Sequence, residues 1–566
     1  MGSRVHGKSA KKLIFPKSPS GIKGLDEILE GGLPTGRPTL VCGNAGCGKT
    51  LLAMEFLVRG ATEYNEPGIF MSFEESAGDL IQNVASLGFD VQKLIDEKKI
   101  FIDFVYFEKN EIEETGEYDL EPLFIRLGNA IDTVGAKRVA LDTIESLFSG
   151  LSNETILRAE LRRLFRWLKV RGVTAIITGE SGINSSLTRH GLEEYVSDCV
   201  IFLDHRIDDQ ISTRRLRVVK YRGSLHGTNE YPFLIDEQGI TVFPITSLKL
   251  EHGTSNERLS TGIERLDAML EGKGFYKGSS ILVSGTPGTG KTSVASSFAH
   301  AICRDGKKCL YFAFEESPSQ IIRNMRSIGM DLKPWVDAGL LRFHSSRPTV
   351  FGLESHLAVM FKTMQDFKPD VVVVDPISNL LSVSDEKNVQ SMFTRLIDTL
   401  KNQQVTTMMT NLTHFGIEEQ TQVGISSLMD TWILLKDLEA EGERNRGLYV
   451  LKSRGMAHSN QIREFILSEQ GISLIEPYIG MGEVKTGSAR YIQETIDTAE
   501  AKKHEEELER QRVKLETRRK VLDAQIAALQ AEFETEKSEF ERIMEEEKQA
   551  KHAKRQEKNH LGSMRG

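Results

Sequence analysis

The sequence predicts two tandem α/β domains with mostly parallel sheets, followed by a long C-terminal α-helical coiled coil. Short β-branched runs alternate with helical patterns along most of the 566 residues, which is typical of a parallel sheet covered by helices. The same landmarks occur twice in the same order, and a C-terminal stretch lacks glycine and proline. We therefore expect a basic N-terminal segment over 1–17, α/β domains over 18–247 and 248–487, and a coiled coil over 488–561.

The strands of the first domain are predicted from its apolar runs. The run Pro38–Cys42 leads into a glycine-rich loop, and a helix follows near Thr50–Ala61. Apolar patterning lapses near Thr246–Arg258, where we place the domain boundary. Since parallel strands end at a common edge of a sheet, the residues that follow them should converge there. The other predicted strands are Ile69–Phe73, Ile100–Val105, Arg138–Leu141, Val173–Thr178 and Cys199–Leu203.

Two P-loops begin 242 positions apart, and both satisfy the pattern G-x-x-x-x-G-K-[ST]. In this motif backbone N–H groups surround phosphate oxygens, the lysine neutralises the terminal phosphates and the hydroxyl holds Mg²⁺. Two matches in register indicate a duplicated nucleotide-binding domain. The predicted binding residues are Gly43, Asn44, Ala45, Gly46, Cys47, Gly48, Lys49, Thr50 and Leu51 in the first loop, and Gly285, Thr286, Pro287, Gly288, Thr289, Gly290, Lys291, Thr292 and Ser293 in the second.

A strand-end aspartate is repeated in each half. Asp142 ends an apolar run and recurs as Asp375, 233 positions further on. An aspartate at this place can hold a Mg²⁺-bound water opposite the P-loop threonine. The predicted magnesium ligands are therefore Thr50 with Asp142 and Thr292 with Asp375.

A pair of glutamates follows an aromatic strand in each half. Glu74–Glu75 recurs as Glu315–Glu316, 241 positions further on. A single pair of this kind would indicate a solvated strand end, but its duplication favours catalysis. At least one carboxylate of each pair should face the terminal phosphate and polarise the attacking group.

A basic set lies late in each half, on alternating strand positions that run into a turn. These cations either belong to a charged sheet edge or reach the triphosphate bound by a neighbouring subunit, where they would stabilise charge. The second interpretation requires a ring of subunits. The two sets are Lys220, Arg222 and His226, and Lys452, Arg454 and His458.

Composition excludes several classes of function. The net charge of −9, from 72 basic and 81 acidic residues, argues against nonspecific binding to nucleic acid or a membrane. No apolar stretch approaches the roughly 20 residues that span a bilayer, and Met1–Lys17 lacks a hydrophobic signal core. The five cysteines show no paired metal spacing. These features predict a cytoplasmic protein with reduced thiols, and Cys47 is either a tolerated small residue or a redox sensor.

The C-terminal stretch predicts a long amphipathic helix. Leucines recur every seven residues from Leu508 to Leu529, and Ile526, Phe533 and Phe540 extend the seam. About 70 helical residues would reach roughly 100 Å, beyond the surface of a domain. The stretch is either a solvated single helix or a seam for self-association, and we favour the second.

Together these motifs resemble the KaiC family of circadian-clock ATPases and autokinases. The resemblance covers about residues 15–475 and includes both P-loops, both Phe-Glu-Glu strands, both Lys-x-Arg-Gly segments and the Ile425-Ser-Ser motif. It implies tandem RecA-like domains in a double-ring hexamer that binds ATP and Mg²⁺ at subunit interfaces. The N-terminal ring would hydrolyse ATP with Glu74 and Glu75, and the C-terminal ring would act as autokinase and autophosphatase with Glu315 and Glu316.

The same resemblance implies that Ser426 and Ser427 accept phosphate, and Thr421 matches a nearby threonine of the motif. We expect Glu315 and Glu316 to be the nearest carboxylates able to accept a serine proton. Such a protein would keep time as a circadian or hourglass clock.

The resemblance also implies partners. A KaiB-like protein would bind the N-terminal ring. Independently of the resemblance, the seam of the tail predicts that paired tails join two hexamers into a dodecamer. The helical tail replaces the segment that relatives offer to a KaiA-like activator, so we do not expect dependence on KaiA. Pro376 is a further departure, since a small hydroxyl residue is common at that place.

Two other classes of function stay open. A DNA-dependent motor of the RecA/RadA type would need a basic loop or an appended DNA-binding module, and neither is visible in the sequence. An ATP-gated scaffold would use the tail without phosphotransfer. Labelled ATP separates these classes, because only the kinase would label Ser426 or Ser427.

Overall fold

The computed structural model divides into two compact units, one holding both α/β domains and the other holding the C-terminal helix. Thr421, most of the predicted N-terminal segment and most of the predicted boundary near Thr246–Arg258 lie outside the described residues. The described residues are 15–105, 120–147, 154–182, 197–208, 211–244, 253–384, 386–413, 424–440, 443–479 and 484–563.

Within the described residues, the first domain contains a nine-stranded sheet, and its first six strands in spatial order are parallel. The predicted strands are present; four begin at the predicted residue, and the last residues differ from the prediction by one to five positions. Three antiparallel strands extend the sheet beyond those we predicted. In Ile211–Tyr221, mixed charged and apolar residues hide the strand pattern. In spatial order the strands are Ile100–Phe104, Gly68–Ser72, Arg138–Asp142, Thr174–Glu180, Pro38–Gly43, Cys199–Asp208, Ile211–Tyr221, Glu230–Asp236 and Gly239–Val242.

The second sheet repeats this order, again with nine strands among the described residues. The P-loop strand Ser280–Gly285 lies between two parallel neighbours, as its counterpart Pro38–Gly43 does. Every residue of both P-loop strands is buried, which is typical of a strand covered by helices on both faces. In spatial order the strands are Leu341–Ser345, Cys309–Ala313, Val371–Asp375, Thr406–Leu412, Ser280–Gly285, Thr431–Ala440, Glu443–Ser453, Arg463–Ser468 and Gly471–Ile475.

Helices cover the sheets, and two equivalent helices begin at serine N-caps. Ser317 accepts a hydrogen bond from the Gln320 backbone in a complete capping box, and Ser76 caps the equivalent helix of the first domain. The helices of the first domain are Leu25–Ile28, Lys49–Glu63, Ala77–Ala85, Val91–Asp96, Glu121–Val134, Ile144–Leu147 and Glu154–Arg171. Those of the second are Glu264–Met269, Lys291–Arg304, Pro318–Arg326, Lys333–Asp337, Leu353–Phe367 and Glu386–Asn402, with 3₁₀ turns at Pro348–Val350, Ile377–Ser382 and Ile425–Ser427.

The two α/β domains contact each other through the helix Leu353–Phe367. Phe361 on this helix stacks on Phe243 with ring centroids 6.4 Å apart. Ion pairs flank the aromatic contact, with Lys362 Nζ 2.6 Å from Asp236 Oδ2. The interface therefore joins the antiparallel edge of the first sheet to a helix of the second domain.

The second unit contains one continuous helix, Gly487–Ser563, of 77 residues. At 1.5 Å per residue it is about 115 Å long. Ala489 is its one buried residue among those described, while Leu515, Leu529 and Phe533 are each more than 60% exposed. Glu547 and Lys551, one helical turn apart on its surface, form an ion pair at 3.4 Å. The helix is thus established, and its pairing into a coiled coil stays a prediction.

Candidate active site

The first P-loop connects the buried strand Pro38–Gly43 to the helix that begins at Lys49. Gly46 and Gly48 have positive φ angles of 73° and 103°, which glycine adopts without strain. A Cβ added at Gly46 would meet nothing within 4 Å, so the concave face of the loop is open. Lys49 Nζ donates to the carbonyls of Gly43 and Asn44 at 2.9 and 3.0 Å, folded over its own loop.

The second P-loop repeats this geometry. Gly288 and Gly290 have φ angles of 82° and 100°, and Lys291 Nζ donates to the carbonyls of Gly285 and Thr286 at 3.0 and 2.8 Å. A cavity of about 360 Å³ opens over the loop, and its lining includes Glu315, Glu316 and Asp375 as well as loop residues. Thr286 is anchored by Asp437, whose Oδ2 accepts its hydroxyl at 3.0 Å.

Burial changes the proton affinity of the charged groups at these loops. It lowers the pKa of Lys291 to about 8, despite the nearby Asp375 and Glu315 carboxylates. Burial and the Asp375 carboxylate raise the pKa of Glu316, and burial raises the pKa of Asp142. Burial therefore disfavours the charged form of Lys291, and the negative charge of a bound polyphosphate would favour it. The open glycine cradle and this cation together fit a nucleotide phosphate chain.

The strand-end aspartate of each domain accepts hydrogen bonds from two hydroxyls. Asp142 Oδ2 accepts the Thr50 hydroxyl at 2.8 Å, and its other oxygen accepts that of Thr178. Asp375 accepts hydroxyls from Tyr311, at 2.6 Å, and from Thr410. No cluster of three or more potential metal-binding side chains occurs among the described residues. One carboxylate and one hydroxyl still fit Mg²⁺, which commonly takes further ligands from phosphates and water.

The glutamate pairs differ between the two domains. Glu74 Oε1 accepts hydroxyls from Thr143 at 2.7 Å and from Ser146 at 2.6 Å. In the second domain Pro376 and Asn379 occupy the equivalent positions, so Glu315 lacks this pair of donors. The second glutamate of each pair is held alike, with Asn83 on Glu75 and Asn324 on Glu316, both at 3.0 Å.

The basic sets do not lie at the P-loop of their own chain. Arg222 follows the antiparallel strand Ile211–Tyr221, whose last residue pairs with Cys199 near the amino end of the P-loop strand. Arg454 has the same backbone position, and its N–H donates to Asp430 as that of Arg222 donates to Asp198, both at 2.8 Å. A six-residue strand spans about 20 Å. Within one chain, each basic set lies where the parallel strands begin, at the amino edge of the sheet. Each P-loop lies where they end, at the carboxyl edge.

The two serines lie beside the second basic set. Ser426 is half-buried and Ser427 is exposed in the turn Ile425–Ser427. Lys452 Nζ donates to the Ser426 carbonyl at 3.2 Å, and the Arg454 guanidinium donates to the Ser427 carbonyl at 2.9 Å. These cations therefore hold the turn that carries both hydroxyls.

Within one chain, this turn lies at the other end of the sheet from Glu315 and Glu316. Thr431, just after the turn, pairs with Ile281 at the amino end of the P-loop strand, whereas Glu315 and Glu316 follow a carboxyl end. Asp430 is therefore nearer to Ser426 and Ser427 than either glutamate. A glutamate can approach these serines only from another subunit.

Sequence reasoning missed several residues of the two sites. Most of the missed residues donate a hydroxyl to an aspartate that ends a strand or to a glutamate that follows one. The other is an acid that accepts a hydrogen bond from a P-loop residue. They lie on neighbouring strands and turns, where no local motif marks them. The one available signal was occurrence of the same residue at equivalent positions of both domains, as with Thr178 and Thr410. They are Thr143, Ser146, Thr178, Tyr311, Thr410 and Asp437.

No helix within the described residues is long and apolar enough to cross a lipid bilayer.

Comparison with known proteins is consistent with this geometry. A family model described as "ATPase: KaiC" matches residues 18–247 and again 259–478. The circadian clock protein KaiC2 of Synechocystis sp. is 59% identical over 504 residues, covering 88% of this chain and 89% of that protein. The circadian clock oscillator protein KaiC of Parathermosynechococcus lividus is 39% identical over 477 residues, covering 84% and 88%. That of Synechococcus elongatus is 37% identical over 479 residues, covering 84% and 92%. With both domains matched and such relatives aligned along most of their length, this chain belongs to the KaiC family.

Proposed function

We propose that the chain forms a double-ring hexamer that hydrolyses ATP in its first domain and phosphorylates and dephosphorylates its own serines in its second. Its biological role would be to keep time, as a circadian or hourglass protein. The proposal draws on the family membership and on the names of the relatives, which are circadian clock proteins. Its location would be cytoplasmic.

One observation carries the proposal. Each domain has a complete phosphate-binding edge, with P-loop, aspartate and glutamates, and a basic set at the opposite edge of the same sheet. Neither edge can serve the other within one chain, because about 20 Å separates them. In a closed ring of identical subunits, however, one edge of each subunit can face the other edge of the next. A ring therefore assembles every site from two neighbours.

The residues of the carboxyl edge would hold ATP. Lys49 and Lys291 would leave the loop carbonyls and neutralise the terminal phosphates, while Thr50 and Thr292 hold Mg²⁺ with Asp142 and Asp375. Bound Mg²⁺ would neutralise charge that develops on the phosphates. The remaining ATP-binding residues would be those of the two P-loops, with the basic set contributed by the next subunit.

The glutamates would act on different nucleophiles in the two rings: water in the first and a serine hydroxyl in the second. In the first ring Glu74, fixed by two hydroxyls, and Glu75 would orient a water molecule for attack on the terminal phosphorus. In the second ring Glu315 and Glu316 would accept the proton of Ser426 or Ser427 from the adjacent subunit. The serine oxygen would then bond to phosphorus as ADP leaves.

Partners follow from the same assembly. The exposed seam of the helix Gly487–Ser563 would join two hexamers into a dodecamer. A KaiB-like protein would bind the first ring, and no KaiA-like activator, membrane or nucleic acid would be required. These partners rest on the family resemblance and on the net charge of −9.

Incubation of the full-length protein with γ-labelled ATP tests the kinase. We expect label on Ser426, Ser427 or both by phosphopeptide mapping, and its loss when both are changed to alanine. Ser468→Ala, on an exposed strand end of the same domain, is the matched control and should keep the label. Label only at other positions, or none, would contradict the kinase. If hydrolysis then rose on addition of DNA, a DNA-dependent motor would replace our proposal; without such a rise, an ATP-gated scaffold would.

A further inference from the structure

The metal-binding aspartates of the two domains are held by different partners. In the first domain Asp142 Oδ2 accepts the hydroxyl of Thr50. In the second, the same oxygen of Asp375 accepts the hydroxyl of Tyr311 at 2.6 Å. The other oxygen accepts a threonine in both domains, from Thr178 and from Thr410. The tyrosine is thus the element that distinguishes the second carboxylate.

Tyr311 occupies a fully enclosed position. Its side chain is 0% exposed, and its ring packs on Phe343 with centroids 5.1 Å apart. The strand Cys309–Ala313 places Tyr311 between residues that line the sheet core, and Val373 pairs beside it. A tyrosine hydroxyl in such a place must find a hydrogen-bond partner, and the Asp375 carboxylate is that partner. The hydroxyl cannot turn away from Asp375 without losing this partner.

The surroundings of Tyr311 differ from those of its counterpart in a concerted way. Phe70 occupies the equivalent position of the first domain, 241 positions earlier, and has no hydroxyl. Beside Tyr311 lies the buried hydroxyl of Ser296, on the helix that follows the second P-loop. The equivalent residue of the first domain is Met54. A polar pair in the second domain therefore replaces an apolar pair in the first.

We propose that Tyr311 is a positioning residue for the divalent cation of the second nucleotide site. By donating to Asp375 Oδ2 from inside the core, it fixes the plane of the carboxylate, so that Asp375 meets the cation already oriented. Thr50 performs the corresponding role in the first domain from the P-loop side, where it must also bind the metal. Tyr311 thus supports metal binding at the second site alone.

The test measures metal affinity directly. Full-length protein in the Lys49→Ala background, which restricts nucleotide to the second site, is loaded with a non-hydrolysable ATP analogue. It is then titrated with Mn²⁺, followed by electron paramagnetic resonance. Tyr311→Phe should weaken Mn²⁺ binding by about 10-fold or more, as loss of an outer-shell partner does. Ser296→Ala should keep Mn²⁺ affinity within 2-fold, because the Ser296 hydroxyl makes no hydrogen bond within the described residues and its removal leaves the bond between Tyr311 and Asp375 in place.

The matched control is Tyr221→Phe, which removes a buried tyrosine hydrogen bond of the first domain, 2.9 Å long, to the Gly32 carbonyl. Its Mn²⁺ affinity at the second site should stay within 2-fold of the background. Circular dichroism and analogue binding report whether each variant is folded, and Tyr311→Met, which also removes the hydroxyl, decides the matter should Tyr311→Phe not fold. Unchanged or tighter Mn²⁺ binding in a folded Tyr311 variant would overturn the inference. The readout involves no serine phosphorylation, so it is independent of whether the kinase proposal holds.

Discussion

At the scale of single residues, the two P-loop lysines are the clearest means of separating the two domains. Lys49 and Lys291 occupy matching positions and make matching bonds to their own loop carbonyls. The residues around the two sites do not match, because the first has Thr143 and Ser146 on its glutamate and the second has Tyr311 on its aspartate. Equivalent lysines therefore lie in sites whose neighbouring side chains differ.

We expect Lys291→Ala to abolish serine phosphorylation while leaving most ATP hydrolysis, and Lys49→Ala to do the reverse. Loss of a cation that stabilises developing phosphate charge should lower the affected rate roughly 100-fold or more. Steady-state phosphate release and serine labelling measure the two activities in parallel. Lys93→Ala, on an exposed helix of the first domain, is the control. Equal loss of both activities in each single variant would disprove the division of labour.

Glu55 is a buried carboxyl whose ionisation should affect stability. It lies on the P-loop helix, where its Oε2 accepts the Ile240 N–H at 2.7 Å and Arg59 approaches its other oxygen. Burial outweighs these contacts and raises the pKa of Glu55 from 4.5 to about 7. The native state thus favours the protonated acid. Its stabilising effect is complete below pH 4.5 and is lost as the pH rises through 7.

The variant Glu55→Gln keeps a neutral acceptor that cannot ionise. From pH 5 to pH 8 its free energy of unfolding should rise relative to that of the unmodified protein by roughly 2 kcal/mol. Thermal or denaturant unfolding at several pH values measures this difference. Glu63→Gln, on an exposed turn of the same helix, should show no comparable trend. A difference that does not vary with pH would show that Glu55 is already ionised when buried.

At the scale of secondary-structure elements, Arg138 ties the strand Arg138–Asp142 to the P-loop helix. Its guanidinium is fully buried and donates to the Glu66 carboxylate and to the Phe56 carbonyl at 2.6 and 2.8 Å. It also lies 4.4 Å from the centre of the Phe56 ring. Gly60 leaves room for it, since a Cβ there would come within 2.4 Å of the arginine. The second domain has Val371 instead and lacks this tie.

Arg138→Met should destabilise the first domain by about 3 kcal/mol. The change leaves buried carbonyls without their hydrogen-bond donor, while methionine keeps most of the apolar contact. Hydrogen exchange, read separately over each domain, should show the loss in the first domain and little change in the second. Arg126→Met breaks an exposed pair with Asp103 and should cost about 1 kcal/mol or less. Similar costs for both variants would mean that burial adds nothing to the Arg138 contacts.

At the scale of the whole molecule, each basic set could act at a P-loop only if a second subunit brought the two together. Mixed rings test this requirement. A subunit with Lys49→Ala and a subunit with Arg222→Ala carry their defects at opposite edges of the sheet, so some interfaces of a mixed ring are intact. Dissociated and reassembled mixtures should regain part of the ATPase activity that each variant lacks alone. No recovery would indicate that Arg222 acts within its own chain or only supports the sheet.

The tail gives a second prediction at this scale. Arg512 and Arg519 interrupt the proximal seam and pair with acids of their own helix, each at 3.8 Å. Exposed Phe533 and Phe540 fall in the distal half, where helices of a second ring would arrive. Truncation after Gly487 should therefore halve the assembly mass measured by light scattering and preserve ATP binding. An unchanged mass would exclude pairing through the tail.

Local patterns were sufficient to predict the elements that carry the nucleotide. The P-loops, the aspartates Asp142 and Asp375 and the six parallel strands of the first sheet were predicted because each is a short run of chemically distinctive residues. The antiparallel strands were incompletely predicted, since Ile211–Tyr221 alternates arginines with apolar residues in a pattern that a charged surface also produces. The role of Tyr311 was not predicted beyond its place in the aromatic strand before Glu315–Glu316. Nothing in the local sequence indicates which buried group accepts a hydrogen bond from its hydroxyl.

The sequence by itself determined the duplication, the class of ligand and the long C-terminal helix, because these depend on motifs and periodicity within contiguous residues. The tertiary structure decided which groups share an edge of each sheet. It placed Arg222, Arg454 and Ser426 opposite the P-loops, and it gave Glu74 and Asp375 different hydroxyl partners. The physical reason is that strand order and register bring together residues tens to hundreds of positions apart, and hydrogen bonding depends on that proximity in space.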